Sequence, residues 1–254
     1  MYRFIRDLFN KRTRWLEEGL AVEDRRVLAG ALPQWPQLTG EQQQRLSGCT
    51  RVLLEEKNFE ACAGLRLTRK MKLSIAGFAG LMLLGGISRY FPDLRSVLVY
   101  PRPYIAPVEE YDEAGILTLG REQRFGESWE RGSLVLAWRE IERHQRTRSA
   151  DNLVIHEFAH QIDDELGISL ETERVLNGNA DTPWARALAE GYARFSRDPR
   201  CFPQVDPYGA EHHSEFFAVL SELFFSRSAR LHADSTELYE ALCHIYQYRA
   251  DFSI

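Results

Sequence analysis

Apolar residues recur at helical spacing through the first third of the chain. Phe4, Leu8 and Phe9 stand near the start, followed by Leu46, Val52, Leu53 and Leu54, and then by the run Leu73–Ile87, LSIAGFAGLMLLGGI. A spacing of three or four residues gathers such side chains on one helical face, so residues 1–93 are expected to form a helical scaffold. The run from Leu73 falls short of the ~20 residues that cross a bilayer, and it carries Ser74 and four glycines. A buried core helix is expected there, and no membrane span.

Between Val97 and Trp138 the period shortens. VLVY before Pro101, GILTLG at 115–120 and GSLVLAW at 132–138 are β-prone and bounded by Gly or Pro, which predicts three or more strands of a small mixed sheet. From Ser149 the helical spacing returns in SADNLVIHEFAHQIDDELG, with polar residues to cap its start, apolar Leu153, Val154, Phe158 and Ile162, and Gly167 to stop it. Two further helices are expected. Thr182-Pro183 opens one, which carries Leu188, Tyr192 and Phe195, and the other begins near Glu211 and runs through EFFAVLSELFF. The fold class is therefore α+β, mainly helical. Pro33, Pro36, Pro92, Pro101, Pro103 and Pro107 mark turns, and no repeat or linker interrupts the chain. Residues 1–254 are expected to be one domain, with the sheet and the later helices in 94–254.

With 44% hydrophobic and 11% aromatic residues in 254, a large buried core is available and disorder is excluded as the main state. Thirty-two basic against 37 acidic residues give a net charge of −5, so no overall positive field exists to hold nucleic acid directly. Cys49, Cys62, Cys201 and Cys243 form no CxxC pair, which fits free thiols in a reducing, cytoplasmic setting. The start, MYRFIRDLFNKRTRW, breaks its apolar pairs with charges and lacks a secretory core of ~7–15 apolar residues. Arg139 to Arg148 reads as a solvated helix face.

The chemistry is carried by His156-Glu157-Phe158-Ala159-His160, an HExxH pattern inside a predicted helix. Four residues on a helix are one turn, so both imidazoles share a face and can converge on one metal ion. Glu157 is turned ~100° from the first histidine, where it can take a proton from water beside a Lewis acid. Apolar residues on both sides imply burial, and burying two histidines and a carboxylate without partners would be costly. A catalytic zinc needs a third protein ligand and an open position. His144, His212, His213, His232, His244 and several carboxylates are available, but the residue six beyond His160 is Leu166, which excludes the HExxHxxGxxH arrangement.

HEFAHQIDDELG, then Tyr208, then Glu215-Phe-Phe-Ala-Val-Leu-Ser-Glu-Leu-Phe-Phe resemble the Mlc titration factor A family of zinc metallopeptidases, whose catalytic core is similar to that of anthrax lethal factor. LEEKNFEACAGL, SVLVYPRPY and FGESWERGSLVLAW extend the resemblance over most of the chain from about residue 50. It implies a zincin-like arrangement and a zinc-dependent peptidase, aminopeptidase action included. His156, His160 and Glu215 would be the ligands, Glu157 the base and Tyr208 the donor that steadies the oxyanion. The substrate would be a peptide or protein. The alternative it implies is a regulatory protein that sequesters a glucose-responsive transcriptional repressor, with peptidase activity secondary.

Several neighbours stay open on the sequence. Asp163 can orient a ligand or cap its helix, and Glu222, seven residues past Glu215 and on the stripe that includes Glu211, can do the former or face solvent. His212 and His213 read as surface residues. SLVLAW could pair with extended substrate if it is a sheet edge.

Overall fold

The computed structural model describes the backbone of residues 2–111, 117–124, 126–129, 132–147 and 150–252, and the side chains of residues 10–103, 132–147 and 150–252. The chain opens with α1 (Tyr2–Glu18), α2 (Val22–Ala31) and α3 (Gly40–Glu56), then β1 (Asn58–Ala61) and α4 (Arg69–Met82). Thr39 starts α3 by a reciprocal cap: its hydroxyl accepts from the Gln42 N–H, and the Gln42 amide oxygen accepts from the Thr39 N–H. The apolar run forms α4 as far as Met82, and Leu73, Ile75, Ala79, Leu81 and Met82 are fully buried. A helix apolar on every side must be covered on every side, and α4 packs on α2, α3 and the later helix at 153–166. The side chains of Phe4, Leu8 and Phe9 lie outside the described residues.

The scaffold portion also contributes a strand. β1, NFEA, turns only Phe59 into the core, too short a pattern to stand out among helices. The remaining strands are β2 (Ser96–Tyr100), β3 (Tyr104–Tyr111), β4 (Leu117–Arg124), β5 (Gly126–Trp129) and β6 (Ser133–Ala137). The main sheet has the order β1-β2-β6-β5. Its first three strands are parallel, in the register Phe59↔Val97↔Leu134, while β5 runs antiparallel to β6. β3 and β4 form a separate antiparallel ribbon. The strand expected at 115–120 thus begins at Leu117 within the described residues and does not join the main sheet.

The helices that follow are α5 (Trp138–Thr147), α6 (Leu153–Leu166), α7 (Ile168–Leu176), α8 (Pro183–Phe195), α9 (His213–Asp234) and α10 (Thr236–Tyr246). α5 buries Ile141 and leaves Arg139, Arg143 and Arg146 exposed. α8 and α9 are the two helices expected after α6, and α7 and α10 are two more that were not expected. Gly167, at φ 68°, turns the chain directly from α6 into α7. α9 starts at His213 and not Glu211, because the Glu211 N–H closes a preceding 3-10 turn at Pro207–Ala210 on the Tyr208 carbonyl. One continuous apolar cluster joins α2, α3 and α4, the sheet, and α6, α8, α9 and α10. All four cysteines are free thiols. No helix among the described residues is long and apolar enough to cross a membrane.

Candidate metal centre

Residues 156–160 lie on α6, whose start is fixed by Asn152. Its side-chain oxygen accepts from the N–H groups of Val154 and Ile155 at 3.1 and 3.3 Å. Leu153, Val154, Ile155, Phe158, Ala159 and Ile162 are buried and lock the helix in the core, and Phe158 meets the Phe91 ring edge-on at 4.7 Å. His156 and His160 stand one turn apart on the side left open, their Nε2 atoms 3.3 Å from each other.

Glu215 arrives from α9. His212 caps that helix through its Nδ1, which accepts from the Ser214 N–H, and Glu215 sits in the first turn, where the helix dipole favours a carboxylate. Its Oε2 lies 3.1 Å from His156 Nε2 and 3.4 Å from His160 Nε2. Burial alone would raise the Glu215 carboxyl; the two imidazoles outweigh it and lower the value to about 2. The three residues offer ligand atoms that all lie within 4.8 Å of one another. Two imidazole nitrogens and a carboxylate oxygen aimed at one point form a donor set that fits a metal ion.

Glu157 is 6% exposed, and burial raises its carboxyl to about 7 against the pull of His156 and His160. Tyr208, 46% exposed, stands in the 3-10 turn, where Asp206 accepts from its N–H at 2.9 Å. Gly209 lets that turn lie on α9: a Cβ there would stand 2.6 Å from Val219 Cγ2 and 3.3 Å from Phe216 Cα. The Tyr208 ring is thereby set beside His156.

The two open carboxylates resolve differently. Asp163 accepts from the Ser169 N–H at 2.6 Å and from the Ser169 hydroxyl, and so caps the start of the next helix, α7, a role that differs from both orienting a ligand and capping the end of its own helix. Glu222 is buried; one of its oxygens lies 2.8 Å from His156 Nδ1 and the other accepts from the Asn152 N–H, so the solvent-facing reading fails. That amide partner was invisible in the sequence, although the seven-residue interval from Glu215 signals a shared face. Glu211 and His212 are exposed, and His144 bonds Arg143 and the Leu153 N–H. β6 lies inside the sheet, between β2 and β5, so it does not meet the condition for pairing with extended substrate; the edge near α6 is β5.

The family of glucose-regulated metallo-peptidases M90 has a sequence profile that matches residues 8–247. The chain belongs to this family. The match begins at residue 8, well before the segments from about residue 50 that carry the resemblance. An uncharacterized protein of Synechocystis is 33% identical over 224 residues, 87% of this chain and 82% of its own length. Mlc titration factor A of Yersinia pestis is 30% identical over 220 residues, 85% of this chain and 81% of its own, and its Yersinia pseudotuberculosis counterpart gives the same figures. The metal that membership in a metallo-peptidase family implies has a matching donor set in His156, His160 and Glu215.

Proposed function

We propose that the protein is a zinc-dependent peptidase, with His156, His160 and Glu215 as ligands, Glu157 as general base and Tyr208 as oxyanion donor. The observation that carries this reading is the triangle of ligand atoms, with edges of 3.1, 3.3 and 3.4 Å. Tetrahedral bonds of ~2.0–2.2 Å to zinc set ligand atoms about 3.3–3.6 Å apart. Nitrogen donors also disfavour calcium and magnesium, which take oxygen.

A zinc ion held there would supply Lewis acidity, polarising the scissile carbonyl and acidifying water. Glu157 takes the proton from the attacking water and passes it to the leaving nitrogen. The Tyr208 hydroxyl donates to the carbonyl oxygen as negative charge grows on it. The β5 edge offers a place for extended substrate to pair. We place the activity in the cytoplasm and in residues 1–254 acting as one domain.

A second reading rests on the relatives named Mlc titration factor A: this chain would sequester a transcriptional repressor. The two are separated by a base-disabled Glu157→Gln variant, since a pure binder keeps its cellular effect and a peptidase does not. The direct test is metal content beside peptide-library cleavage with and without a chelator. Near-stoichiometric zinc and chelator-sensitive cleavage are expected; zinc without such cleavage favours the binder.

A further inference from the structure

We infer that Glu222 is a positioning residue for the metal centre, holding the His156 ring from behind so that its Nε2 faces the ion. The inference rests on the reading of His156, His160 and Glu215 as ligands.

An imidazole has two nitrogens, and only one can face the metal with its lone pair. His156 Nε2 is a corner of the ligand triangle, while Nδ1 lies 2.8 Å from Glu222 Oε1. A carboxylate can only accept there, so the proton is kept on Nδ1 and the lone pair on Nε2. The other Glu222 oxygen accepts from the Asn152 N–H at the start of α6. Both oxygens of a buried carboxylate thus grip α6, one by its backbone and one by the ring a turn further on. This satisfies a group whose burial would otherwise be costly.

Glu215 and Glu222 both belong to α9, about 10 Å apart along the axis at ~1.5 Å per residue. The same helix therefore supplies a ligand on the Nε2 side of His156 and an acceptor on its Nδ1 side. Glu222 does not complete the ligand triangle; it acts through the histidine. An acceptor behind a ligating histidine fixes the ring and increases its basicity, and its loss typically weakens metal binding ~10–100-fold.

The experiment is a titration of chelator-stripped protein with Zn²⁺ and, for the visible spectrum, Co²⁺, on wild type, Glu222→Gln, Glu222→Ala and Glu215→Ala. Asp163→Ala serves as a control that loosens the α6–α7 junction without touching His156. Glu222→Ala should bind either ion ~10–100-fold more weakly, with Glu222→Gln between it and wild type. The bound Co²⁺ spectrum should be unchanged, and Asp163→Ala should keep wild-type affinity. Wild-type affinity in both Glu222 variants would overturn the inference and leave the ligand assignment intact. A metal-free Glu222→Ala beside a loaded Glu215→Ala would overturn both, because Glu222 would then be the ligand. An affinity loss in Asp163→Ala equal to that in Glu222→Ala would reduce Glu222 to a general structural role.

Discussion

The Tyr208 and His156 rings lie 6.1 Å apart, centroid to centroid, inclined at 38°. The phenol comes from a short turn packed on α9 and the imidazole from α6, so their closeness depends on how these two helices pack. Tyr208→Phe deletes only the hydroxyl. We expect kcat to fall by about 10²–10³-fold, as for loss of one oxyanion donor, with KM little changed. A raised KM with kcat intact would instead make the ring a substrate-binding surface.

Glu157 is buried and feels the charge of both histidines but does not share their ligand triangle. Glu157→Gln is nearly isosteric and cannot accept a proton. It should keep its zinc and lose at least ~10²-fold in turnover; metal analysis and steady-state kinetics on one preparation check both halves. Loss of the metal, or near wild-type rates, would refute the assignment.

Asp163 holds the first turn of α7 through the Ser169 amide and hydroxyl. Asp163→Ala should cost about 1–2 kcal/mol, in the range of lost helix caps, read from denaturant unfolding. Its zinc affinity should stay that of wild type. Weakened metal binding at unchanged stability would return Asp163 to a ligand-orienting role.

Lys57 is buried, and its Nζ donates to the carbonyls of Phe91 and Leu94 at 2.5 and 2.8 Å. Burial lowers its pKa to about 8, against ~10.4 in an unfolded chain. Between these values the unfolded state binds more protons than the folded state, so stability should rise with pH across that window. Unfolding free energies of wild type and Lys57→Met, measured from pH 7 to about 10.5, should diverge, with wild type gaining on the variant as pH rises. Parallel curves would show that Lys57 carries no such linkage.

Much of the helical architecture was legible because its signals are local. Asn152 and Gly167 bracket α6, and the apolar run around Leu73 can only be satisfied by burial. Where the signal was short, the reading failed. β1 shows a single inward residue, and α7 follows α6 without the polar break that separates most helices. In β6, Leu134, Val135, Leu136 and Ala137 are all buried, the continuous apolar run of a strand covered on both faces, but which strands lie beside it depends on pairing with distant segments and has no local signal.

The site divides along the same line. HExxH spacing on one helix brings two imidazoles together by geometry alone, whereas a partner from 59 residues further on depends on tertiary packing. Periodicity left Glu211, Glu215 and Glu222 equivalent. The structure separates them by where α9 begins and how it crosses α6: Glu211 precedes the helix, Glu215 meets both Nε2 atoms, and Glu222 meets Nδ1.

In the proposed site, Glu215 completes the zinc ligands with His156 and His160. Zinc titration of wild type, Glu215→Ala and Glu211→Ala at nanomolar free metal is the decisive measurement. One zinc per chain in wild type and Glu211→Ala, and none in Glu215→Ala, is the predicted result; a Glu215→Ala protein that stays loaded would contradict it.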